Sequence, residues 1–577
     1  MGKFRIPILL FVALLPFISL GTSEIQPWDE GLYAVRARTI IEHNAFWDQT
    51  EYSLGGLYSS TYPPLTVWAM AGSMALFGDN AFSIRLFSAL CSFFSIFLFY
   101  SITKKLFNCD AAILASLLLS GTIVWNHYAR QGMTDIPLLL FCLLAFWAII
   151  GFINQEEGKK QLLLLGLFII AFTASLMTKI IVSFLPISFV IFAFFLRLSL
   201  KKKILILTAT FLSLAVASFW YLDMAIKYGK DFTNTLLVPH LFTSVEQNSP
   251  KIGFFYYFNQ IVINNPFLIL SFVFVILFIA KFKEHKASFT FLQFRAICFL
   301  IIWFLGLLAL FSIAVTKMPH YILYFILPSI IITSLFIEFL YKEQIKGKNL
   351  ALLTWLCIAS FVWANYPEIR NEIKTFSMTN GFSLSIFLVV GFVLLLLFII
   401  ILLKKSTHQN IPLTLYRNIF LALILVLILK VFISNLFFPT GNSQGGYNTA
   451  QILINSGKNS FVYLYHRHNP ADSINPQLAY YTGNWMLKRD SAKTYYPFAL
   501  EENKISLAKL NELKLYSDDY IVYYLPENIE LAKFTMNILS RDRPIISIEK
   551  EIKANNYILF GSIRRNYRAS SKDGKVL

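Results

Sequence analysis

Charged residues are scarce in this chain. Only 14% of its 577 residues are Asp, Glu, Lys or Arg, whereas 56% are hydrophobic and the mean hydropathy is +0.60. Soluble domains carry about 25% charged residues. Because the deficit is spread over many long apolar runs, an ordinary soluble domain is excluded and a polytopic membrane protein is predicted.

Cysteine is also scarce, and the chain contains no Cys-x-x-Cys pair. The five cysteines lie in or beside apolar runs, at Cys91, Cys109, Cys142, Cys298 and Cys357. This distribution argues against a disulfide framework. The chain also lacks zinc-finger spacing and RNA-binding signatures, so its formal charge of +18 does not indicate nucleic acid as a partner. Basic residues in short loops between apolar runs are better explained by membrane topology and anionic lipid.

Thirteen apolar runs are read as membrane-spanning helices, which need about 20 mostly apolar residues each. They lie near residues 6–20, 83–103, 110–126, 136–153, 161–178, 180–197, 204–222, 266–281, 293–314, 321–340, 349–366, 382–403 and 414–438. A cleaved signal peptide is the alternative for the first run, because Lys3 and Arg5 precede it. The many spans that follow favour an uncleaved helix.

The loops between these runs alternate in character. Short basic loops, such as those holding Lys104 and Lys201, lie on one side and are cytoplasmic by the positive-inside rule. The longer loops, including 21–82 and 223–265, lie on the other side. The alternation stays in phase through all thirteen spans, so these loops and the region after residue 438 are predicted to face outward.

The sequence predicts two domains: a transmembrane domain over 1–438 and an extracytoplasmic α/β domain over 439–577. After residue 438 the chain has a Gly-rich linker, strand patterns at Phe461–Tyr465 and Tyr520–Leu525, and a helical pattern at 527–540. In the first outer loop, helical spacing over 33–42 and an apolar piece at 64–77 predict amphipathic helices lying in the membrane interface.

Two adjacent carboxylates, Asp29 and Glu30, directly follow the first span. A carboxylate at this position could accept a proton from an incoming hydroxyl or hold a metal. The alternative is helix capping, since Asp is a good N-cap and Glu suits a first helical turn.

Four further polar clusters fall on the predicted outer face. They are Tyr62 before Pro63-Pro64, Arg130 with Asp135 in a short loop, Lys179 between two apolar runs, and Lys317 with His320 and Tyr321. Arg130 could bind phosphate bidentately, and Asp135 could orient a sugar or a metal. Each cluster has a structural alternative: a turn, an Arg–Asp salt bridge, a snorkelling lysine or an aromatic belt. Their agreement on one face fits a pocket for a lipid-phosphate substrate.

These stretches resemble the GT-C membrane glycosyltransferases, in the branch that contains the lipid A aminoarabinose transferase and the protein mannosyltransferases. The matching residues are Asp29, Glu30, Tyr33 and Ala34, Pro63 to Leu65, Arg130, Asp135, Thr178, Lys179, Lys317, His320, Tyr321 and Pro328. The resemblance implies an inverting transfer of a sugar from a polyprenyl-phosphate donor to a lipid, glycan or protein acceptor. It places the reaction and the C-terminal domain on the periplasmic side of a bacterial inner membrane.

The resemblance also implies roles for single residues. Asp29, Glu30 and Asp135 would be catalytic, and Arg130, Lys179 and Lys317 would bind the donor phosphate. Tyr33, Tyr62, His320 and Tyr321 would position the substrates. The resemblance assigns no cofactor. It leaves a divalent metal open, with His240 as the candidate ligand and a solvated loop histidine as the alternative.

Four residues depart from the family pattern. Thr61-Tyr62 stands where Glu-Lys commonly precedes Pro-Pro-Leu, Gly31 stands where Ala or another residue is usual, and Leu32 stands where Arg is common. The resemblance therefore supports the reaction type and leaves the sugar open. A strict aminoarabinose or protein O-mannosyl transferase is one alternative. A flippase for lipid-linked sugar is another, which the lack of paired broken helices disfavours.

Overall fold

The structure is a computed structural model, which describes the chain in the following ranges. They are residues 4–26, 29–54, 56–237, 253–264, 266–280, 282, 289–314, 317–342, 424–425, 427–436, 446–455, 460–466, 476–483, 494–500, 520–525, 546–552 and 557–563.

Helices make up nearly all of the first 342 residues in these ranges. They are α1 Arg5–Ala13, α2 Asp29–His43, α3 Leu57–Ser60, α4 Leu65–Phe77, α5 Ala81–Leu106, α6 Cys109–Ser120, α7 Ile123–Ala129, α8 Asp135–Asn154, α9 Lys159–Leu176, α10 Leu185–Phe194, α11 Leu200–Leu237, α12 Tyr256–Asn264, α13 Ile269–Ala280, α14 Phe291–Ile313 and α15 Leu323–Lys342. Short 3-10 turns lie at Leu15–Phe17, Val182–Phe184, Pro266–Leu268 and Pro319–Ile322. The described residues after 342 contain three more helices: α16 Leu427–Leu436, α17 Gly446–Asn455 and α18 Pro476–Thr482.

Within the described residues, six helices are long and apolar enough to cross a membrane. They are α5, α8, α9, α11, α14 and the segment Pro319–Glu338. Helices α6 and α7 meet at a bend of 65° and count as a seventh if they form one broken span. The chain is thus a multi-pass membrane protein, and these seven coincide with predicted spans.

The predicted total of thirteen spans stays a prediction. The first, sixth and eighth predicted spans are shorter apolar helices, at Arg5–Phe17, Val182–Phe194 and Ile269–Ala280. The last is described only at α16, and the predicted spans 349–366 and 382–403 lie outside the described residues.

Local sequence explains where several helices begin. The side chain of Asn80 accepts a hydrogen bond from the backbone N of Ser83 and so caps α5. Asn108 caps α6 in the same way, and Thr290 forms a reciprocal capping box with Gln293 at the start of α14. Such caps satisfy backbone N–H groups that have no partner inside the helix.

Of the described spans, the segment Pro319–Glu338 is the most deeply buried. It is 94% buried, whereas α11 is only 28% buried and therefore lies at the periphery. Its neighbours are α6, α13 and α14. The side chains that begin this segment, including His320 and Tyr324, are consequently enclosed by other helices near one end of the bundle.

The first outer loop forms a second, smaller core. Helix α2 packs between α4 and the C-terminal helix α18, and residues of all three contribute to one apolar cluster. The predicted helix and the predicted apolar piece are both present. The expectation that α2 is an amphipathic helix lying in the membrane interface is wrong, because its residues from Glu30 to Ala37 are all buried within the protein.

The C-terminal region contributes a mixed sheet of five strands. They are β1 Ser460–His466, β2 Thr494–Leu500, β3 Tyr520–Leu525, β4 Ile546–Ile552 and β5 Tyr557–Ile563, in the order β2-β1-β3-β5-β4. Strand β1 pairs in parallel with β2 and β3, while β5 pairs antiparallel with β3 and β4. Both predicted strands are present; the helix expected at 527–540 lies outside the described residues. The division into domains at residue 438, and the type of the second domain, stay predictions.

Candidate active site

The two adjacent carboxylates of α2 occupy different environments. Asp29 and Glu30 both lie in the first turn, where the positive end of the helix dipole stabilises acidic groups. Successive residues of a helix point about 100° apart, since one turn takes about 3.6 residues. Asp29 is exposed to solvent, whereas Glu30 is buried. The two side chains therefore have separate tasks.

The Asp29 carboxylate is desolvated by nearby protein although its side chain reaches solvent. Burial is the largest cause that raises its pKa above the ordinary value; Lys179 opposes the shift and Asp135 adds to it. A side chain that reaches solvent and is still desolvated lines a recess rather than the outer surface. Asp29 thus lies in an open recess, within electrostatic range of Lys179 and Asp135.

Asp135 begins α8 and is fully buried beside this recess. Its Oδ1 accepts hydrogen bonds from Lys179 Nζ, at 2.7 Å, and from the Tyr324 hydroxyl. Among the described residues, no group donates to its Oδ2, which is also buried. A buried acceptor without a partner is costly, so Oδ2 is prepared for a donor from outside the protein.

An aromatic wall encloses the Asp135–Lys179 pair. The Lys179 Nζ lies 6.0 Å from the ring centre of Tyr321 and 5.8 Å from that of Tyr324, within cation–π range. His320 is buried, and its ring meets that of Tyr128 edge-on at 5.8 Å. These rings exclude water and so strengthen the charge interactions at the pair.

The Pro-Pro-Leu motif and the tyrosines of the first loop lie against the same recess. The backbone N of Leu65 donates to the carbonyl of Met177 at 3.1 Å, which ties the motif to the turn before Lys179. Tyr33 packs edge-on against Tyr62 at 6.3 Å. Burial first, and then the Asp29 charge, raise the pKa of Tyr33, so its phenol stays neutral.

Glu30 forms a buried ion pair with Arg85 of α5. The guanidinium donates twice to the carboxylate, at 2.7 Å and 2.9 Å. The carboxylate also accepts from the backbone N of Gln26 at 2.6 Å and from that of Gly132 at 2.7 Å. Both of its oxygens are engaged within the protein, so the geometry favours a positioning role for Glu30 over the catalytic role predicted from the sequence.

Two of the predicted phosphate-binding cations point elsewhere. Arg130 is buried and donates to the carbonyls of Asn435, at 3.4 Å, and Ser19, at 3.3 Å. Burial, and after it Arg85, lower the pKa of Arg130 to about 10. Lys317 donates to the carbonyl of Ala314 at 2.7 Å. Of the three predicted cations, Lys179 is the one placed beside Asp29.

The part of the chain that the structure describes contains no metal site built from His, Cys, Asp or Glu side chains. No group of three His, Cys, Asp or Glu side chains there is arranged to hold an ion. His240, the candidate ligand, lies outside the described residues.

The sequence prediction missed Arg85, and it did not assign site roles to Tyr324 and Tyr128. Arg85 had a readable signal, because it is an ionisable residue at the start of a predicted span and such residues are rare without a purpose. Tyr324 follows Tyr321 by three residues, which places both on one helical face. For Tyr128, no comparable signal distinguished it from an interfacial aromatic residue.

The chain shares sequence with known proteins. A family model described as dolichyl-phosphate-mannose-protein mannosyltransferase matches residues 61–221. An uncharacterized protein of Aquifex aeolicus (strain VF5) is 26% identical over 377 residues, which cover 63% of this chain and 70% of that protein. The undecaprenyl phosphate-alpha-4-amino-4-deoxy-L-arabinose arabinosyl transferase of Wigglesworthia glossinidia brevipalpis is 25% identical over 358 residues, which cover 60% of each chain.

The fold is shared with a solved structure, ArnT from Cupriavidus metallidurans bound to undecaprenyl phosphate. The TM-score is 0.64 at 13% identity, over 97% of this chain and 98% of that chain. The resemblance to the GT-C membrane glycosyltransferases is confirmed. This chain spans 60% of the length of its Wigglesworthia relative, which is less than two thirds.

Proposed function

We propose that this protein transfers a sugar from a polyprenyl-phosphate donor to an acceptor hydroxyl at the outer face of a bacterial inner membrane. The observation that carries the proposal is the exposed Asp29 carboxylate in a recess beside the buried Asp135–Lys179 pair. The GT-C fold supports it, since the similar ArnT structure binds undecaprenyl phosphate.

Asp29 is the general base in this proposal. Its carboxylate takes the proton of the acceptor hydroxyl while the acceptor oxygen forms a bond to the anomeric carbon of the sugar. The bond from that carbon to the phosphate oxygen breaks, and the electron pair leaves with the polyprenyl phosphate. A single displacement of this kind inverts the anomeric centre.

Lys179 stabilises the leaving phosphate. Its ammonium has three N–H donors, one of which is directed to Asp135. A cation already in place where negative charge grows lowers the barrier most in a site that excludes water. Asp135 Oδ2, a buried acceptor with no donor among the described residues, is suited to a hydroxyl of the sugar.

The departures from the family pattern bear on the sugar. Tyr62 and Leu32 replace two basic side chains, and both Arg130 and Lys317 donate to backbone carbonyls. The donor phosphate therefore relies mainly on Lys179 among the predicted cations. We propose a polyprenyl-phosphate sugar transferase of unassigned sugar and acceptor rather than a strict aminoarabinose transferase.

The decisive experiment compares envelope lipids and glycoproteins of a deletion strain with those of the parent by mass spectrometry. The expected result is one missing sugar mass, which returns with the wild-type gene and not with Asp29→Asn. Asp110→Asn is the matched control, because Asp110 is an exposed acid that pairs with Arg5 beside a loop predicted to be cytoplasmic. Restoration of the sugar by Asp29→Asn would contradict the base assignment, and no missing mass would contradict the function.

A further inference from the structure

The C-terminal helix α18 touches α2 two residues after the Asp29 carboxylate. A Cβ added to Gly31 would lie 2.8 Å from the Cβ of Pro476 and 2.9 Å from the backbone N of Gln477. These distances are shorter than any real Cβ contact, so only glycine permits this approach of the two backbones. The contact is therefore direct, and it belongs to the same helical turn as Asp29.

Polar contacts extend this attachment to the segment before α2. Gln477 is 3% exposed, and its Nε2 donates to the carbonyl of Ile25 at 2.7 Å and to Glu24 Oε2 at 3.2 Å. The backbone N of Ile25 donates in turn to the Tyr481 hydroxyl at 2.7 Å. Three buried or half-buried hydrogen bonds thus connect α18 to the two residues that precede Gln26.

A separate attachment anchors the far end of α18. Arg38 of α2 donates to the carbonyl of Tyr480 at 2.5 Å and lies 4.3 Å from the centre of its ring. Arg38 also pairs with Asp79, at 2.8 Å, and Asp79 accepts from the Tyr480 hydroxyl. This second anchor would keep α18 docked when the first is weakened.

The position of Asp29 depends on the backbone of α2. No hydrogen bond within the described residues holds its carboxylate, whereas Asp135 has two donors. We propose that α18 is a positioning element of the transfer site, in which Gln477 and Gly31 set where Asp29 stands relative to Asp135 and Lys179. This inference rests on the proposed function and deepens it, because the C-terminal region becomes part of the site.

The first test reads the position of residue 29 without any substrate. Asp29→Cys is made in a chain whose five native cysteines are replaced by alanine. A water-soluble methanethiosulfonate reagent then labels the thiolate across a pH series. Gly31→Ala and Gln477→Met are expected to shift the midpoint of labelling upward, because Lys179, the stronger of the two nearby charges, lies farther from the thiolate.

The second test reads sugar transfer in cells. Gly31→Ala and Gln477→Met are made in the otherwise native chain. They are expected to lower the amount of sugar-modified product by about tenfold or more, since a misplacement of a catalytic group by about 1 Å can lower the rate about a hundredfold. Gly72→Ala is the matched control, because a Cβ there meets nothing within 4 Å. Gln477→Met keeps the volume of the side chain and guards against simple misfolding of the glycine variant, and membrane levels are measured for both.

The two tests separate the inference from the proposed function. The inference would be overturned if both variants had the same labelling midpoint as Gly72→Ala and restored the same amount of sugar-modified product. If the deletion strain lacks no sugar, the proposed function fails, and the labelling shift still decides whether α18 positions residue 29.

Discussion

At the residue scale, the proposed chemistry depends on the Asp29 carboxylate and the Lys179 ammonium, which lie in different environments. Asp29 reaches solvent and has a raised pKa, whereas Lys179 is held by a buried aspartate within an aromatic wall. In the proposed mechanism, Asp29 supplies the base and Lys179 supplies the counter-charge for the phosphate. Neighbouring acids of similar sequence context, such as Glu30, are excluded from this task by their protein partners.

The raised pKa of Asp29 predicts the pH at which the rate of sugar transfer falls on the acid side of its pH profile, its acid limb. A base must be deprotonated to accept the acceptor proton, so the rate falls as pH falls through the pKa of Asp29. Because that pKa is raised, the limb lies above the value of about 3.9 for an ordinary aspartate. Rates of sugar transfer by purified protein across a pH series check this. A limb at or below the ordinary value would contradict the desolvated recess.

Replacing Lys179 by alanine separates catalysis from stability. The change leaves the buried Asp135 without its cation, and we expect it to destabilise the protein by about 3–5 kcal/mol and to abolish transfer. Adding Asp135→Asn removes the unpaired charge. The double variant is expected to recover much of the thermal stability in detergent and none of the activity. Full activity in Lys179→Ala would favour a snorkelling lysine.

At the scale of elements, one buried ion pair joins the segments that carry the site. Glu30 of α2 binds Arg85 of α5 and the backbone of Gly132, in the loop that leads to Asp135. Arg85 adds bonds to the carbonyls of Leu20 and Ser23, at 3.1 Å and 3.0 Å, at the end of the first apolar segment. The buried Glu30–Arg85 pair thus holds together the segments that carry the recess.

Glu30→Gln is expected to destabilise the fold more than it alters the chemistry. It leaves the Arg85 guanidinium buried without a counter-charge, at a cost of about 3–5 kcal/mol. Glu157→Gln is the matched control, because the Glu157–Lys201 pair is exposed and such pairs contribute about 1 kcal/mol or less. Thermal unfolding in detergent measures both. Equal unfolding temperatures would show that the buried pair is dispensable.

Gly132→Ala tests the close packing of the loop on α5. A Cβ at this position would lie 2.5 Å from Ile84 Cγ2 and 3.1 Å from the Ile84 carbonyl oxygen. We expect overpacking to cost about 1–3 kcal/mol and to lengthen the Gly132–Glu30 hydrogen bond. Gly166→Ala, where nothing lies within 4 Å, is the control, and it is expected to be neutral or slightly stabilising. Loss of stability in both would contradict the packing argument.

At the scale of the whole molecule, the orientation of the bundle decides where the reaction takes place. The basic loops predict that residue 203 faces the cytoplasm and residue 135 the periplasm. Alkaline phosphatase fused after residue 135 should be active and should be inactive after residue 203. The opposite pattern would invert the topology and would remove the recess from the periplasmic face.

Helical architecture was readable from the sequence, because long apolar runs need an internal backbone hydrogen-bond network in lipid. Seven predicted spans coincide with helices long enough to cross a membrane, counting the bent pair. The 65° bend between α6 and α7 was not predicted, since Gly121 and Thr122 lie within a run that is long and apolar enough to be read as one helix. The burial of α2 was also not predicted, because α18, which covers it, comes more than 400 residues later in the chain.

The sequence alone determined the class of protein, the positions of its main helices and the acid, lysine and tyrosines that a GT-C site would use. Those properties follow from local composition and from motifs that are continuous in the chain. Only the tertiary structure decided which of these charges are paired within the protein and which are open to solvent. It engaged Glu30 with Arg85, turned Arg130 toward Ser19 and left Asp29 open to solvent. The burial and the partners of a charged side chain depend on contacts between segments that are distant in sequence. The pattern along one segment therefore does not predict them.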